Sequence, residues 1–274
     1  MRVYFCTKKI FIVLLISWTF ACQKQSVTNS TNQTNPTIPT NTTNQSASQI
    51  PPPQTIKFTS AENVEIIGTS YESSQPNSPA VLLLHQWGSN RKSYEMLAKR
   101  LQAKGFGVLA IDGRGFGESV KTTEGKAVGT DRGDETVKGM KSDVDNAFQF
   151  LTKQKNVDIQ KICIVGASYG SSLAMIYGAE NKQIKAVALL SPGLNYFGNL
   201  PIEDAVKNYG ERNLLLVAAE DDQNSAATVK KLKSSVENDK YEMQIYPKGG
   251  HGTNLLAAKV GLEDLLEQFL TRSL

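Results

Sequence analysis

A serine flanked by small residues is the first candidate for chemistry in this chain. It is Ser168, within Gly166-Ala167-Ser168-Tyr169-Gly170. A serine that attacks a carbonyl must project from a very tight turn, and side chains two positions before or after it would collide with the neighbouring strand and helix. An apolar strand-like run ends at Val165, and a helix-like segment, 171–179, follows. This context predicts a nucleophilic serine at a strand-turn-helix junction, with a plain glycine-rich turn as the alternative.

Two further motifs precede this serine turn. His85-Gln86-Trp87-Gly88 follows an apolar run, 80–84, and Asp112-Gly113-Arg114-Gly115-Phe116-Gly117-Glu118-Ser119 follows the next one, 108–111. Together with the serine turn, these motifs make residues 56–274 resemble the α/β-hydrolase superfamily, and within it the esterase and dienelactone-hydrolase-like branches. The resemblance implies a serine hydrolase whose catalytic residues follow the order serine, acid, histidine. Gln86 departs from the glycine of the family's His-Gly-x-Gly motif.

The serine then needs a base, and the chain holds only two histidines, His85 and His251. Histidine suits the role because its ordinary pKa of about 6.5 lets it take up and return a proton near neutrality. His251 is the only histidine after Ser168, and it lies between the last predicted strand and the last predicted helix, where the superfamily has its catalytic histidine. We therefore expect His251 to be the base, although a glycine-flanked histidine could be merely exposed. His85 is expected to brace the loop after the first buried strand.

The third expected residue is a carboxylate that orients the histidine and stabilises its charged form. The run 214–218 is followed by Ala219-Glu220-Asp221-Asp222. The superfamily's Gly-x-x-Asp pattern places the acid three residues after a small residue, which favours Asp222, with Asp221 as the alternative. A solvated acidic turn would also explain one or two of these acids. The position after the preceding strand holds no carboxylate, because its sequence is Ser191-Pro192-Gly193-Leu194-Asn195.

The resemblance implies acyl transfer in two steps. Ser168 would attack an ester carbonyl while His251 takes its proton, and water activated by His251 would then release the acyl group. The backbone N–H groups of Tyr169 and Trp87 are expected to bind the developing oxyanion. Arg114 is expected to be structural. An amide hydrolase or an acyltransferase would use the same triad, and a non-catalytic surface-binding protein on this scaffold is a further alternative.

These residues require a scaffold that brings several strand ends together. Apolar strand-like runs alternate with helical periodicities over residues 56–274, which predicts a single α/β domain. The sequence predicts an opening β-hairpin, 56–59 and 64–67, and then strands that are apolar on both faces. The expected fold is a doubly wound, mostly parallel sheet flanked by helices. Asp134 is expected to cap a helix whose buried stripe is Val137, Met140, Val144, Phe148 and Leu151.

The segment where relatives insert a lid is short in this chain. Only about a dozen residues separate Ser191 from Glu203, so we expect an open site without a large cap, suited to small or exposed acyl esters, including acyl groups on carbohydrate. The loop 120–133 could shape one wall.

The sequence contains no metal-ligand cluster, phosphate-binding loop or dinucleotide motif, so neither a metal nor another cofactor is expected.

The N-terminus has the features of a secretory signal. Arg2, Lys8 and Lys9 precede an apolar stretch, 10–20, which as a helix would span only about half of a ~30 Å bilayer core. A signal peptide over residues 1–21 is therefore expected, rather than a permanent anchor. Thr19-Phe20-Ala21-Cys22 resembles the lipobox of bacterial lipoproteins, which implies lipidation of Cys22 and an exported protein anchored to a membrane. The alternative is ordinary cleavage that leaves Cys22 as a free thiol.

Residues 22–55 are almost wholly Ser, Thr, Asn, Gln and Pro, with Lys24 as the only charged residue. Such a segment cannot bury enough apolar surface to offset its ordering entropy, so we expect a disordered tether, or a disordered leader without a spacing role.

Removal of residues 1–21 would lower the formal net charge from +4 to +1. No basic patch is present, and nucleic acid is not an expected partner.

Overall fold

A computed structural model describes residues 49–274 of the chain. The expected signal peptide at 1–21, the lipidation site at Cys22 and most of the expected tether lie outside these described residues. The first strand starts at Gln54, slightly before the domain start at residue 56 that the composition predicts. Among the described residues, no helix is both long enough and apolar enough to cross a membrane.

Strands and helices alternate over most of the described chain. The strands are β1 (Gln54–Thr59), β2 (Glu65–Tyr71), β3 (Ser78–Leu84), β4 (Gly107–Ile111), β5 (Val157–Ala167), β6 (Ile184–Leu190), β7 (Asn195–Tyr196), β8 (Leu200–Pro201), β9 (Asn213–Ala219) and β10 (Tyr241–Tyr246). The helices are α1 (Glu95–Ala103), α2 (Asp134–Thr152), α3 (Tyr169–Glu180), α4 (Glu203–Asn208), α5 (Gln223–Ser234), α6 (Asn254–Ala257) and α7 (Leu262–Arg272).

Eight strands form one sheet in the order β1-β2-β4-β3-β5-β6-β9-β10. β1 and β2 form the expected antiparallel hairpin, β2 is antiparallel to β4, and all the later pairs are parallel. After β3 the chain passes through α1 to β4 on one side, and then through α2 to β5 on the other side. Such a reversal opens a crevice at the carboxyl ends of the strands, where α/β folds bind ligands. The predicted doubly wound, mostly parallel sheet is confirmed.

Helices cover both faces of this sheet. α1 and α7 pack on one face, through Leu97, Leu101 and Phe269 among others, while α2, α3 and α5 pack on the opposite face. The predicted stripe of α2 is buried in full: Val137, Met140, Val144, Phe148 and Leu151. Asp134 is the first residue of α2 and Gly133 precedes it at the cap position, so the helix begins one residue earlier than predicted.

The segment between β6 and β9 contains no large cap within the described residues. It consists of a small hairpin, β7 and β8, and the short helix α4. β7 and β8 pair only with each other and form a separate two-stranded sheet. The carboxyl edge of the main sheet is therefore left open.

Candidate active site

The ends of five parallel strands bring the candidate residues to one edge of the sheet. The residues that follow these strands are His85, Gln86 and Trp87 after β3, Ser168 after β5, Ser191 after β6, Asp221 and Asp222 after β9, and His251 in the loop after β10. Carboxyl ends of parallel strands face the same way, so residues distant in sequence converge there. This is the edge at which the strand order predicts a crevice.

Ser168 lies on a strained turn between β5 and α3. Its backbone φ is 54° and its ψ is −125°, a region that residues with a side chain rarely occupy and that is typical of functional sites. A Cβ at Gly166 would overlap the Gly170 carbonyl, and a Cβ at Gly170 would lie 2.6 Å from the His85 oxygen and 2.7 Å from the Leu84 oxygen. Both glycines are therefore required for the turn to pack closely.

Ser168, His251 and Asp222 form a chain of hydrogen bonds. The Ser168 Oγ lies 2.7 Å from His251 Nε2, and His251 Nδ1 lies 2.7 Å from Asp222 Oδ2. A carboxylate accepts, so Nδ1 must carry a proton, and Nε2 of the neutral ring is then free to accept the Ser168 hydroxyl. Ser168 is 5% exposed, whereas the His251 side chain is 40% exposed. The Ser168 side chain is thus recessed, while the imidazole of His251 is partly exposed to solvent.

The Asp222 carboxylate has three hydrogen-bond donors. Besides His251, the hydroxyls of Ser225 and Ser191 bond to it. Burial alone would raise the pKa of Asp222, but these hydrogen bonds outweigh it and hold the pKa below its ordinary value. The carboxylate is therefore charged at neutral pH and able to stabilise an imidazolium.

Asp221, the alternative acid, contacts the backbone of the His251 loop instead of the imidazole. Its carboxylate accepts the N–H of Gly249 at 3.2 Å and that of Gly250 at 3.0 Å. The two neighbouring aspartates therefore bind different parts of one loop. This arrangement brings Asp222, and not Asp221, to the histidine.

Ser191 is a site residue that the sequence analysis did not identify. It is fully buried, has a φ of 51°, and accepts the Gly252 N–H through its Oγ at 2.8 Å. Its hydroxyl also donates to Asp222. Ser191 therefore links the acid to the residue that follows His251. The only signal in the sequence is its place at a strand end, where relatives can carry an acid.

Tyr196, on β7, is a second residue that the sequence did not indicate. Its hydroxyl donates to the Ser191 carbonyl at 2.9 Å, and its ring lies on Gly193, where a Cβ would be 2.8 Å from the ring. Burial raises the pKa of Tyr196, although hydrogen bonding with Ser168 and Ser225 opposes the shift. The phenol is therefore a neutral hydroxyl beside Ser168.

His85 is buried and bridges two loops. The Gly113 N–H donates to its Nε2 at 3.0 Å, so Nδ1 carries the proton and donates to the Gln86 carbonyl at 2.7 Å. Burial lowers the pKa of His85, in agreement with a neutral ring. The expected bracing role fits these contacts.

Arg114 is 2% exposed and binds Asp143 of α2 through Nε at 3.0 Å and Nη2 at 2.9 Å. A third contact joins Nη1 to Glu62 at 2.7 Å. A Cβ at Gly139 would overlap the guanidinium, so this glycine leaves room for it against the helix. These contacts fit the expected structural role.

Trp87 and Tyr169, whose N–H groups are the expected oxyanion donors, lie on adjoining elements. Their rings meet edge to face with centroids 5.5 Å apart. Phe197 of the β7–β8 turn packs on Trp87 at 4.7 Å, and the Arg132 guanidinium lies 5.1 Å from Trp87 and 4.9 Å from Phe197. Trp87 and Phe197, with Arg132 of the loop 120–133 against both rings, therefore form a largely aromatic wall beside the serine turn.

Within residues 49–274 the structure contains no group of three or more His, Cys, Asp or Glu side chains placed to hold a metal ion. Cys163 is buried in β5, and burial raises its pKa to about 12. It is therefore a protonated core residue and is unsuited to nucleophilic or metal chemistry.

Comparison with known sequences gives a family match over part of the chain. Residues 75–209 match the family described as serine aminopeptidase, S33. The multifunctional-autoprocessing repeats-in-toxin of Vibrio cholerae serotype O1 is 31% identical over 123 residues, which cover 43% of this chain and 2% of the toxin. The corresponding toxin of Vibrio vulnificus is 30% identical over the same length, again 2% of the toxin. The chain thus spans a very small part of these relatives.

Several solved structures match a larger part of this chain than the toxin sequences do. An esterase of Pyrococcus furiosus has a TM-score of 0.65 at 17% identity, over 81% of this chain and 91% of that one. Acetyl xylan esterase 1 of Thermoanaerobacterium sp. has a TM-score of 0.65 at 17% identity, over 80% and 82%. A dienelactone hydrolase of Anabaena variabilis has a TM-score of 0.58 at 19% identity, over 80% and 98%. The described residues therefore have the α/β-hydrolase fold, and the family match supports a hydrolase.

Proposed function

We propose that the protein is a serine hydrolase that cleaves carboxylic esters, with Ser168 as nucleophile, His251 as general base and acid, and Asp222 as the orienting carboxylate. The observation that carries the proposal is the unbroken hydrogen-bond chain from Ser168 Oγ through His251 to Asp222, at 2.7 Å for each bond. This geometry meets the requirements for nucleophilic acyl transfer.

In the acylation step, Ser168 Oγ bonds to the ester carbonyl carbon while its proton passes to His251 Nε2. The negative charge that develops on the carbonyl oxygen is stabilised by the N–H groups of Trp87 and Tyr169. The imidazolium is stabilised by the Asp222 carboxylate. When the ester C–O bond breaks, His251 returns the proton to the departing alkoxide, and the alcohol leaves.

Deacylation repeats these events with water. His251 Nε2 takes a proton from water, whose oxygen bonds to the acyl carbon, and the Ser168 ester bond breaks as the imidazolium returns its proton to Oγ. The products are a carboxylic acid and the original enzyme. Asp222 remains ionised throughout because its hydrogen bonds keep its pKa low.

The open crevice favours small or exposed acyl esters, including acyl groups on carbohydrate. The short β7–β8 hairpin and the loop 120–133 flank the serine without enclosing it. Phe197 of the hairpin and Trp87 of the loop after β3 offer an apolar surface to an acyl or alkoxy group. A substrate that requires a large lid is not expected.

A fluorophosphonate probe tests the proposed chemistry. We expect the wild-type chain to be labelled and to hydrolyse p-nitrophenyl acetate, while Ser168→Ala shows neither labelling nor hydrolysis above background. Cys163→Ser, which alters a buried core residue away from the triad, serves as the control. Equal labelling of wild type and Ser168→Ala would contradict the proposal and favour a non-catalytic role for the scaffold.

Amide hydrolysis is the second candidate, favoured by the match of residues 75–209 to the serine aminopeptidase family. The same triad cleaves amides when the amine leaving group is protonated by the histidine. Comparison of kcat/KM for p-nitrophenyl esters and aminoacyl p-nitroanilides separates the two. A higher value for the anilides would replace the esterase proposal, while transfer to an added alcohol in place of water would identify an acyltransferase.

We also propose that the protein is exported and held at a membrane through lipid on Cys22, facing the periplasm or the cell exterior. The lipobox-like Thr19-Phe20-Ala21-Cys22 motivates this proposal. Cys22→Ser should move the protein from the membrane fraction to the soluble exported fraction, with no loss of activity per molecule. Unchanged membrane retention would contradict it.

A further inference from the structure

Gln86 connects two loops of the site that are far apart in the sequence. Its Oε1 accepts the backbone N–H of Thr253 at 2.6 Å and lies 3.2 Å from the Thr253 hydroxyl. Gln86 directly precedes Trp87, and Thr253 follows His251 by two positions. One side-chain carbonyl therefore joins the loop with an expected oxyanion donor to the loop with the expected base.

The His251 loop is shaped around this side chain. Gly252 has a φ of 62°, and a Cβ at that position would overlap Gln86 Oε1. Thr253 is only 6% exposed, so its N–H would lose its acceptor without gaining ready access to water if Gln86 were shortened. A buried donor without a partner is unfavourable, and the loop would move to relieve it.

Three side chains from three strand ends together accept four backbone N–H groups of this loop. Asp221, after β9, accepts the N–H groups of Gly249 and Gly250. Ser191, after β6, accepts that of Gly252, and Gln86, after β3, accepts that of Thr253. Of the three side chains, only Gln86 belongs to the loop after β3, which carries Trp87 and its expected oxyanion donor. Among these contacts, the Gln86 bond is therefore the one that fixes the position of the His251 loop relative to the Trp87 loop.

We propose that Gln86 is a positioning residue for His251. This inference rests on the proposed function, because positioning matters only if His251 is the base. Gln86 stands where the motif that the chain resembles has glycine, which cannot make the contact, so the restraint depends on this chain's own side chain. Without it, His251 Nε2 shifts from its line to Ser168 Oγ, and proton transfer slows in both acyl steps while the groups that bind substrate stay in place.

Kinetics per active site form the first part of the test. Gln86→Met keeps the length of the side chain but removes the acceptor, and Gln86→Gly restores the residue usual in the motif. With active sites counted by fluorophosphonate titration, both variants should hydrolyse p-nitrophenyl acetate about 10- to 100-fold more slowly in kcat, since small misplacements of a catalytic group have effects of this size. KM should change little.

A buried glutamine elsewhere provides the matched control. Gln102 in α1 donates to the Pro51 and Glu72 carbonyls at 2.8 and 2.9 Å, at the opposite edge of the sheet. Gln102→Met should lower the melting temperature but leave kcat per titrated site at the wild-type value. It separates the general effect of losing buried hydrogen bonds from an effect on His251.

Hydrogen exchange in the full chain provides a readout that does not depend on catalysis. Peptides covering residues 249–256 should exchange faster in Gln86→Met and Gln86→Gly than in wild type, and at the wild-type rate in Gln102→Met. The proposal is overturned if kcat per site is unchanged in the folded Gln86 variants, or if kcat falls while exchange in 249–256 does not change. Retained hydrolysis in Ser168→Ala would instead contradict the proposed function, and exchange would still decide whether Gln86 holds the loop.

Discussion

Asp221 and Asp222 are neighbours in the chain, yet their carboxylates bind different groups of the same loop. Asp222 Oδ2 lies 2.7 Å from His251 Nδ1, while Asp221 accepts the N–H groups of Gly249 and Gly250. One carboxylate thus contacts the ring that would carry protons, and the other holds the glycines that lead to it. Their contributions should be separable by experiment.

The two aspartates should differ sharply when each is changed to asparagine. Asp222→Asn should lower kcat by about 10⁴-fold, because an amide no longer selects the tautomer in which Nε2 accepts the Ser168 proton. Asp221→Asn should mainly lower the melting temperature, with a much smaller loss of kcat per titrated site. Ester hydrolysis and thermal unfolding measure both effects, and a larger kcat loss in Asp221→Asn would reverse the assignment.

Gly170 should not tolerate even a methyl group. A Cβ there would lie within 2.7 Å of the Leu84 and His85 carbonyl oxygens, and backbone atoms cannot move aside cheaply. We expect Gly170→Ala to destabilise the fold by about 1–3 kcal/mol, the usual cost of overpacking. Gly129 offers a matched control, since a Cβ at that position has no neighbour within 4 Å. Urea unfolding of Gly129→Ala should resemble wild type, and equal loss in both variants would refute the steric explanation.

The Arg114–Asp143 pair should behave as a buried ion pair. Both side chains are 2% exposed, and removal of one partner leaves an uncompensated charge, which costs about 3–5 kcal/mol. Arg114→Met should therefore lower the free energy of unfolding by this amount, and Arg114→Met with Asp143→Leu should recover much of the loss. Denaturant titration of the two single variants and the double variant checks this. Simple additivity of the two losses would show that the pair is not coupled.

His85 should make the fold less stable in mild acid. Burial lowers the pKa of His85 in the folded state, so the unfolded chain, with an ordinary histidine pKa of about 6.5, binds the proton more readily. The free energy of unfolding should therefore be highest above about pH 6.5 and fall as the pH decreases through that value. His85→Gln should reduce this dependence in urea titrations between about pH 7.5 and pH 5. An unchanged slope would mean that His85 does not contribute.

Much of the fold follows from local patterns in the sequence. The apolar stripe of α2 and the doubly apolar strands each depend on periodicity and burial, and the structure confirms the fold that they predict. The boundaries of the strands are harder to predict. β5 extends from Val157 to Ala167, whereas the apolar run in the sequence covers only 162–165. The first five residues of β5, 157–161, mix apolar and polar types and are all at least partly exposed, so they do not extend the continuous apolar run that marks the buried part of the strand.

The residues of the candidate site could be predicted from the sequence only in part. Ser168, His251 and Asp222 were found by motif, order and the small number of histidines, and the structure brings them together, although their catalytic roles stay predictions. Gln86, Ser191 and Tyr196 could not be found this way. Their partners lie on other strand ends, and a serine or glutamine in a loop has no spacing that distinguishes it from a solvated residue. Such contacts emerge only when the sheet sets the loops side by side.

The β7–β8 hairpin has a practical consequence for redesign. It supplies Tyr196 and Phe197 to the crevice but takes no part in the pairing of the eight-stranded sheet. Its exchange for segments of other length or side-chain size would alter the surface beside Ser168 while the pairing of the main sheet remains intact. Leu200 of β8 is fully buried in the core, so a replacement hairpin would need to keep an apolar side chain at this position.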